Sequence, residues 1–112
     1  MVAPTKFLYV ICEGKDAQSV KIGFSIDPDK RVRQLQTGHA TPLMVFYKEE
    51  IEAEKVRPME KIVHRLLSHR RQKGEWFSLN PADAVLEIKH AVMRYGDVEN
   101  LSTRLGGGTL AL

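Results

Sequence analysis

The sequence predicts a small α+β domain, and three observations carry that prediction. Residues 6–12 and 19–24 are rich in β-branched and aromatic side chains and flank a polar loop with one glycine, the pattern of a β-hairpin. Asp27-Pro28-Asp29 then opens a helix, with a capping side chain, a proline suited to the first helical position and an acid that complements the dipole. Farther on, Met59, Ile62, Val63, Leu66 and Leu67 fall on one stripe at helical spacing. The 112 residues suit one compact domain and leave no room for a second.

Taken in order, the hairpin's alternation assigns its faces. Leu8, Val10 and Cys12 share one with Val20, Ile22 and Phe24, which leaves Phe7, Tyr9 and Ile11 beside Lys21, Gly23 and Ser25 on the other. Tyr9 and Lys21 are therefore expected to be neighbours. The helix after the hairpin stops at Gly38, about three turns on. Leu43-Met44-Val45-Phe46-Tyr47 has strand character within a third strand at 41–48, after a turn at Gly38-His39-Ala40-Thr41-Pro42. Glu and Ala favour helix over 51–57, but Pro58 disrupts a continuous helix unless it stands at the start, so the main helix is expected to begin near Pro58. Glu60 then lies on the border of the apolar stripe, with His64 one turn later. Residues 75–79 read as a short extra strand. Asn80-Pro81-Ala82-Asp83 opens a last amphipathic helix through Ala84, Ile88, Ala91 and Val92 to Tyr95-Gly96. The domain is thus expected to span 1–96, with 97–112, which holds Gly106-Gly107-Gly108, as a flexible tail.

Seventeen Lys and Arg against fourteen Asp and Glu give a net charge of +3, a mild excess that suits a polyanion without demanding one. The single Cys12 excludes an internal disulfide and sits in an apolar run, as a buried structural thiol does. No run approaches the roughly 20 apolar residues of a membrane helix, and no leader-like apolar stretch opens the chain, so a cytoplasmic location is expected.

Several of these segments also match in order and spacing. Leu8-Tyr9-Val10 is followed by Lys21-Ile22-Gly23, Arg31 lies eight residues after Gly23, and Glu60 and His64 precede Gly74-Glu75-Trp76-Phe77. Over roughly residues 6–92 the chain resembles the GIY-YIG nuclease superfamily, in particular a phage- and prophage-associated branch whose second motif reads K-I-G and whose last reads E-W-F. The resemblance implies a three-stranded antiparallel sheet flanked by helices and a metal-dependent endonuclease that hydrolyses phosphodiesters, with DNA as the expected substrate.

The resemblance also assigns roles. Glu60 would bind Mg2+ or Mn2+, a hard ion that keeps several waters and needs only one or two protein carboxylates. Arg31 offers a planar fork matched to two phosphate oxygens. Tyr9 would take the proton of the attacking water, with Lys21 as the cation that lowers the phenol's proton affinity. His64 would orient Glu60, hold a metal-bound water or bind phosphate. Lys30 and Arg33 are expected to make auxiliary nucleic-acid contacts, as are Arg70, Arg71 and Lys73 of the basic cluster that ends the main helix. Trp76 and Phe77 are expected to pack the sheet against the last helix, and His39, His69 and His90 belong to no constellation. A catalytic domain this small has little room to select a target, so selection would need a homodimer, a partner chain or a structured substrate. Two other classes share the scaffold: a nucleic-acid-binding module without cleavage, favoured by Lys21 in place of the usual tyrosine, and a protein-interaction domain.

Overall fold

The computed structural model describes residues 4–96; the tail expected at 97–112 lies outside them. Eight elements follow in order: strand β1 (Thr5–Cys12), β2 (Val20–Ser25), helix α1 (Pro28–Gln36), β3 (Met44–Glu52), α2 (Ala53–Leu66), a 3-10 turn (Ser68–Arg70), β4 (Trp76–Phe77) and α3 (Pro81–Tyr95). The strands form one antiparallel sheet in the order β3-β1-β2-β4. The α+β class is as the sequence predicts, and the short strand near 75–79 becomes the fourth.

The hairpin register sets Leu8 opposite Phe24, Tyr9 opposite Gly23 and Val10 opposite Ile22, so alternation gives the expected faces. On one face, Leu8, Val10, Val20 and Ile22 pack against Val56, Met59 and Val63 of α2 and Ile88 and Ala91 of α3. On the other, Tyr9, Ile11 and Leu43 meet Val32 and Leu35 of α1, with Val45 and Trp76 at the margins. A bulge between Val10 and Ile11 shifts the β3 register so that Val45 and Tyr47 oppose consecutive residues of β1. The extra residue, Phe46, breaks β3's alternation, which lets Phe46 and Tyr47 both pack on the two-helix side while Val45 turns to the α1 side. Cys12 is fully buried and its thiol donates to the Gly14 carbonyl, as befits a structural residue.

The caps are those the sequence announces. Asp27 accepts from the Lys30 amide and Asn80 from the Asp83 amide, each followed by proline in the first turn. Two boundaries differ from expectation. β3 runs from Met44 to Glu52, not over 41–48, because all eight residues of β1 pair with it, from Thr5 opposite Glu52 to Cys12 opposite Met44. Its second half is charged because it is a sheet edge, where charged side chains discourage pairing with another chain. The main helix begins at Ala53 and carries Pro58 inside it. Burial of Val56 and Met59 on the same core as Ile62 and Val63 outweighs the one backbone bond, to the Glu54 carbonyl, that the proline cannot make.

Pro58→Ala should therefore stabilise the domain by about 1–3 kcal/mol, restoring that bond against a small entropic gain of the unfolded chain. Urea unfolding reads the change, and a lowered midpoint would instead put the start of the helix at Pro58.

Candidate active site

Tyr9 lies mid-strand on the α1 face, only 1% exposed and directly opposite Gly23. Its phenol rests on that glycine. A Cβ at position 23 would lie 2.6 Å from Tyr9 Oη and 2.9 Å from Cζ, and also 2.8 Å from Glu75 Oε1. Glycine is required here by close approach, and the phenol oxygen and a carboxylate oxygen share the space above one α-carbon.

Lys21 sits two residues before Gly23 on the same face, 8% exposed, diagonal to Tyr9 and paired in register with Ile11. A buried ammonium without a counter-charge would cost several kcal/mol (roughly 3–5). Glu75 supplies the charge, with Oε1 3.4 Å from Lys21 Nζ, while the ammonium also lies 5.9 Å from the centroid of Trp76. Glu75 is in turn fixed by its backbone. The Ile22 amide donates to the Glu75 carbonyl at 3.1 Å, and the preceding Gly74 takes a φ of +59°, a left-handed turn that favours glycine. Arg71 Nε donates to the Gly74 carbonyl at 2.6 Å and braces the same turn.

The sequence pairs Tyr9 with Lys21, but the lysine's ion pair goes to Glu75, and the cation acting on the phenol is Arg31. Burial raises the Tyr9 phenol above its ordinary value; Arg31 pulls it down through a hydrogen bond and its charge, while Glu75 and Glu60 push it up. Glu75 is the residue sequence reasoning left out of the site. Its signal was the Gly74-Glu75-Trp76-Phe77 segment, read there as strand and packing.

From α2 come Glu60 and His64. Glu60 is half-buried, and its carboxyl is pushed up to about 7, first by burial and then by the charge of Glu75, against the opposing pull of Arg57, Lys21 and Arg71. His64 Nε2 donates to the Ile22 carbonyl at 2.8 Å, and its ring leans on Phe77 at 4.9 Å between centroids. Burial lowers its pKa, so the ring stays neutral near pH 7. With Nε2 committed to the strand, His64 positions α2 against β2. Among the described residues no group of three or more His, Cys, Asp or Glu is arranged to hold a metal.

Arg31 is half-buried in α1, next to exposed Lys30; together with Ser25, Asp27 and Gln34 they line an open pocket. Arg33, Arg70 and Lys73 are exposed, as is Arg71. Arg71 differs from these, since its charge reaches Glu60 and His64 and its guanidinium lies 5.8 Å from the Phe77 ring. Trp76 and Phe77 divide by alternation: Phe77 joins the core beneath α3, but Trp76 turns to the Tyr9 face, away from the last helix. There it stacks on His39, with ring planes 8° apart and centroids 5.9 Å apart, while His39 Nε2 pairs with Glu13 Oε2 at 2.7 Å. His39 thus belongs to a constellation that sequence spacing did not reveal.

Two outcomes follow. Gly23→Ala should cost about 1–3 kcal/mol in urea unfolding through overpacking, and most of that penalty should vanish in a Tyr9→Ala background, because the Tyr9 ring supplies two of the three close contacts. A penalty independent of Tyr9 would contradict the packing. For Glu60, the folded carboxyl titrates near 7 against 4.5 unfolded. Between those values the unfolded chain releases a proton that the folded chain keeps, so rising pH erodes stability through that window and no further above it. In EDTA, Glu60→Gln should leave stability unchanged below about pH 4 and raise it at pH 8 by about 1 kcal/mol, after allowing for solvent screening. A pH-independent difference would exclude the raised titration.

The family model described as the T5orf172 domain matches residues 6–94, from the second residue of β1 to the last turn of α3. No curated protein and no solved structure matches the chain. No helix among the described residues is long and apolar enough to cross a membrane. The matched span takes in Tyr9, Lys21, Arg31, Glu60, His64 and Glu75 alike, and the chain belongs to the T5orf172 domain family.

Proposed function

We propose that the chain is a metal-dependent endonuclease hydrolysing phosphodiester bonds of nucleic acid, DNA in particular, with a site of the GIY-YIG kind. The observation that carries this reading is the convergence at one phenol: Tyr9 of β1 is acted on by Arg31 of α1, by Glu75 before β4 and by Glu60 of α2, with Lys21 of β2 beside them. A nucleophile-activating group, an oxygen-binding fork, a cation and a carboxylate are the parts a phosphodiester requires.

Glu60 fits a divalent ion. It is a hard oxygen donor whose proton affinity is raised first by burial and then by the neighbouring charge of Glu75, and Mg2+ or Mn2+ would complete its shell with water. Such an ion, when bound, polarises a phosphate oxygen and steadies the leaving oxygen. The chain's own residues do the rest. Arg31 grips two non-bridging oxygens of the scissile phosphate and its fork matches the extra charge that develops as water adds. Tyr9 receives the proton of that water. Lys21 keeps positive charge in the walls of the site while paired to Glu75. His64 holds α2, and thereby Glu60, against β2. Lys30, Arg33, Arg70 and Lys73 supply exposed charge for the backbone of a long substrate, while Arg71 lies closer to the centre. A homodimer, a partner chain or a structured substrate then serves target selection.

Supercoiled DNA incubated with Mg2+ or Mn2+ tests the reading, against an EDTA control that measures binding alone. The wild type should nick or linearise it only with metal. Glu60→Gln should lose on the order of 100-fold in rate while binding in EDTA stays within about twofold. Arg31→Lys should lose a similar factor, chiefly in kcat, since a point charge lacks the bidentate geometry. Binding without cleavage in the wild type would favour a nucleic-acid-binding module, and absence of both would favour a protein-interaction domain.

A further inference from the structure

Glu75 has two neighbours that give it chemistry. One is Tyr9 Oη, which shares with Glu75 Oε1 the space above the Gly23 α-carbon, each within 3 Å of where a Cβ would stand. The other is Lys21 Nζ, 3.4 Å from the same Oε1. We infer that Tyr9 works as a relay, handing its phenolic proton to Glu75 as it takes one from the attacking water. The inference rests on the nuclease reading above and names the group that finally accepts the proton.

Tyr9 alone lacks two properties of a general base. A free phenol is ionised to about one part in a thousand at pH 7, and burial makes Tyr9 a weaker acid still. Tyr9 is 1% exposed, so its hydroxyl has little contact with bulk water. Glu75 supplies both missing properties. Its side chain is 37% exposed and can return a proton to solvent, and its Oε1 is held 3.4 Å from the Lys21 ammonium. The other charged groups facing the phenol do not fill this role. Arg31 from α1 and Lys21 from β2 only donate, as does Arg71 beyond them. His64 from α2 has Nε2 committed to the Ile22 carbonyl, and Glu60 is the carboxylate assigned to the metal. In the balanced step, a water O–H bond breaks as the O–P bond forms and the proton passes to Tyr9 Oη. The proton already on Oη moves to Glu75 Oε1. The P–O bond to the leaving oxygen breaks, and that oxygen takes a proton from solvent.

The relay predicts a pH signature. Single-turnover cleavage of supercoiled DNA at saturating Mg2+, between about pH 6 and 9, would compare the wild type with Glu75→Gln, Tyr9→Phe and the double variant. The wild type should be nearly level between about pH 7 and 9. Glu75→Gln should fall on the order of 100-fold at pH 7 and then climb about tenfold per pH unit, because Tyr9 must now ionise beforehand. The double variant should be no slower than Tyr9→Phe alone, as for groups acting in one unit. A loss in Glu75→Gln that is equal at every pH would mean Glu75 only holds Lys21, and would overturn the relay, as would unchanged activity. Titration of carbon-13-labelled tyrosine in the free protein is the second measurement. Tyr9 should ionise at lower pH in Glu75→Gln, and an unmoved titration would overturn the coupling even if the wild type cleaves. Absence of metal-dependent cleavage by the wild type would overturn the nuclease reading and the relay with it.

Discussion

The backbone of Ile22 is the constraint on which the site depends. Its amide donates to the Glu75 carbonyl and its carbonyl accepts from His64. β4 begins only at Trp76, and a histidine side chain from α2 serves the carbonyl that a longer fourth strand would have met. Left unmet and buried, that oxygen would cost about 1–3 kcal/mol. The bond that satisfies the strand also fixes how α2 is turned, and Glu60, one turn before His64, follows. Because β4 is short, groups from opposite faces of the sheet meet around its open end. Lys21 and Tyr9 come from the α1 side, and Glu60 comes from the side of the large core.

This arrangement works against folding in a definite way. Two carboxylates, Glu60 and Glu75, raise each other's electrostatic cost, and burial is the larger influence on Glu60. Lys21 is taken out of water to 8% exposure with one ion pair as compensation. A buried pair of this kind seldom stabilises relative to apolar groups of the same volume. Leu8, Val10, Ile22, Phe77 and Ile88, all fully buried on the other face, offset it at about 1.5–3 kcal/mol for each large apolar side chain. Polar groups this costly, gathered from separate elements at an open edge, are what a reactive site requires and what a structural core avoids.

What the sequence made legible was local. Alternation gave both faces of the hairpin and hence the Tyr9 and Lys21 side, and Asp27-Pro28 and Asn80-Pro81 marked two helix starts to the residue. What it hid was set by tertiary context. Pro58 reads as a start signal because propensity weighs one lost bond, whereas the packed face of Val56 and Met59 decides the matter. The charged half of β3 lies past the strand expected at 41–48, and its end at 51–52 reads as helix-favouring, until its edge position is known. Trp76 and Phe77 read as one packing pair, and only the pairing of β4 with β2, Lys21 opposite Trp76 and Val20 opposite Phe77, assigns them to opposite faces. Glu75 was hidden for the same reason, since its value lies in Lys21 and Tyr9, more than fifty residues away in the chain.

The two faces also divide the work of the molecule. The face beneath α2 and α3 holds the larger buried cluster, and the apolar cluster on the α1 face has Tyr9, Ile11 and Leu43 as its buried members among the described residues. α1 is nine residues long, about 13 Å at the usual rise, too short to roof the whole sheet. The strip from Lys21 to Gly23 is therefore bordered by α1 on one side and by Trp76 with its stacked His39 on the other. A sheet needs one well-covered face to fold and can leave part of the second for chemistry. Tyr9 belongs to both demands at once, because its ring fills the small cluster while its hydroxyl ends over Gly23. That double duty explains why a glycine must stand opposite it: a Cβ there would lie within 3 Å of both the phenol oxygen and a Glu75 carboxylate oxygen.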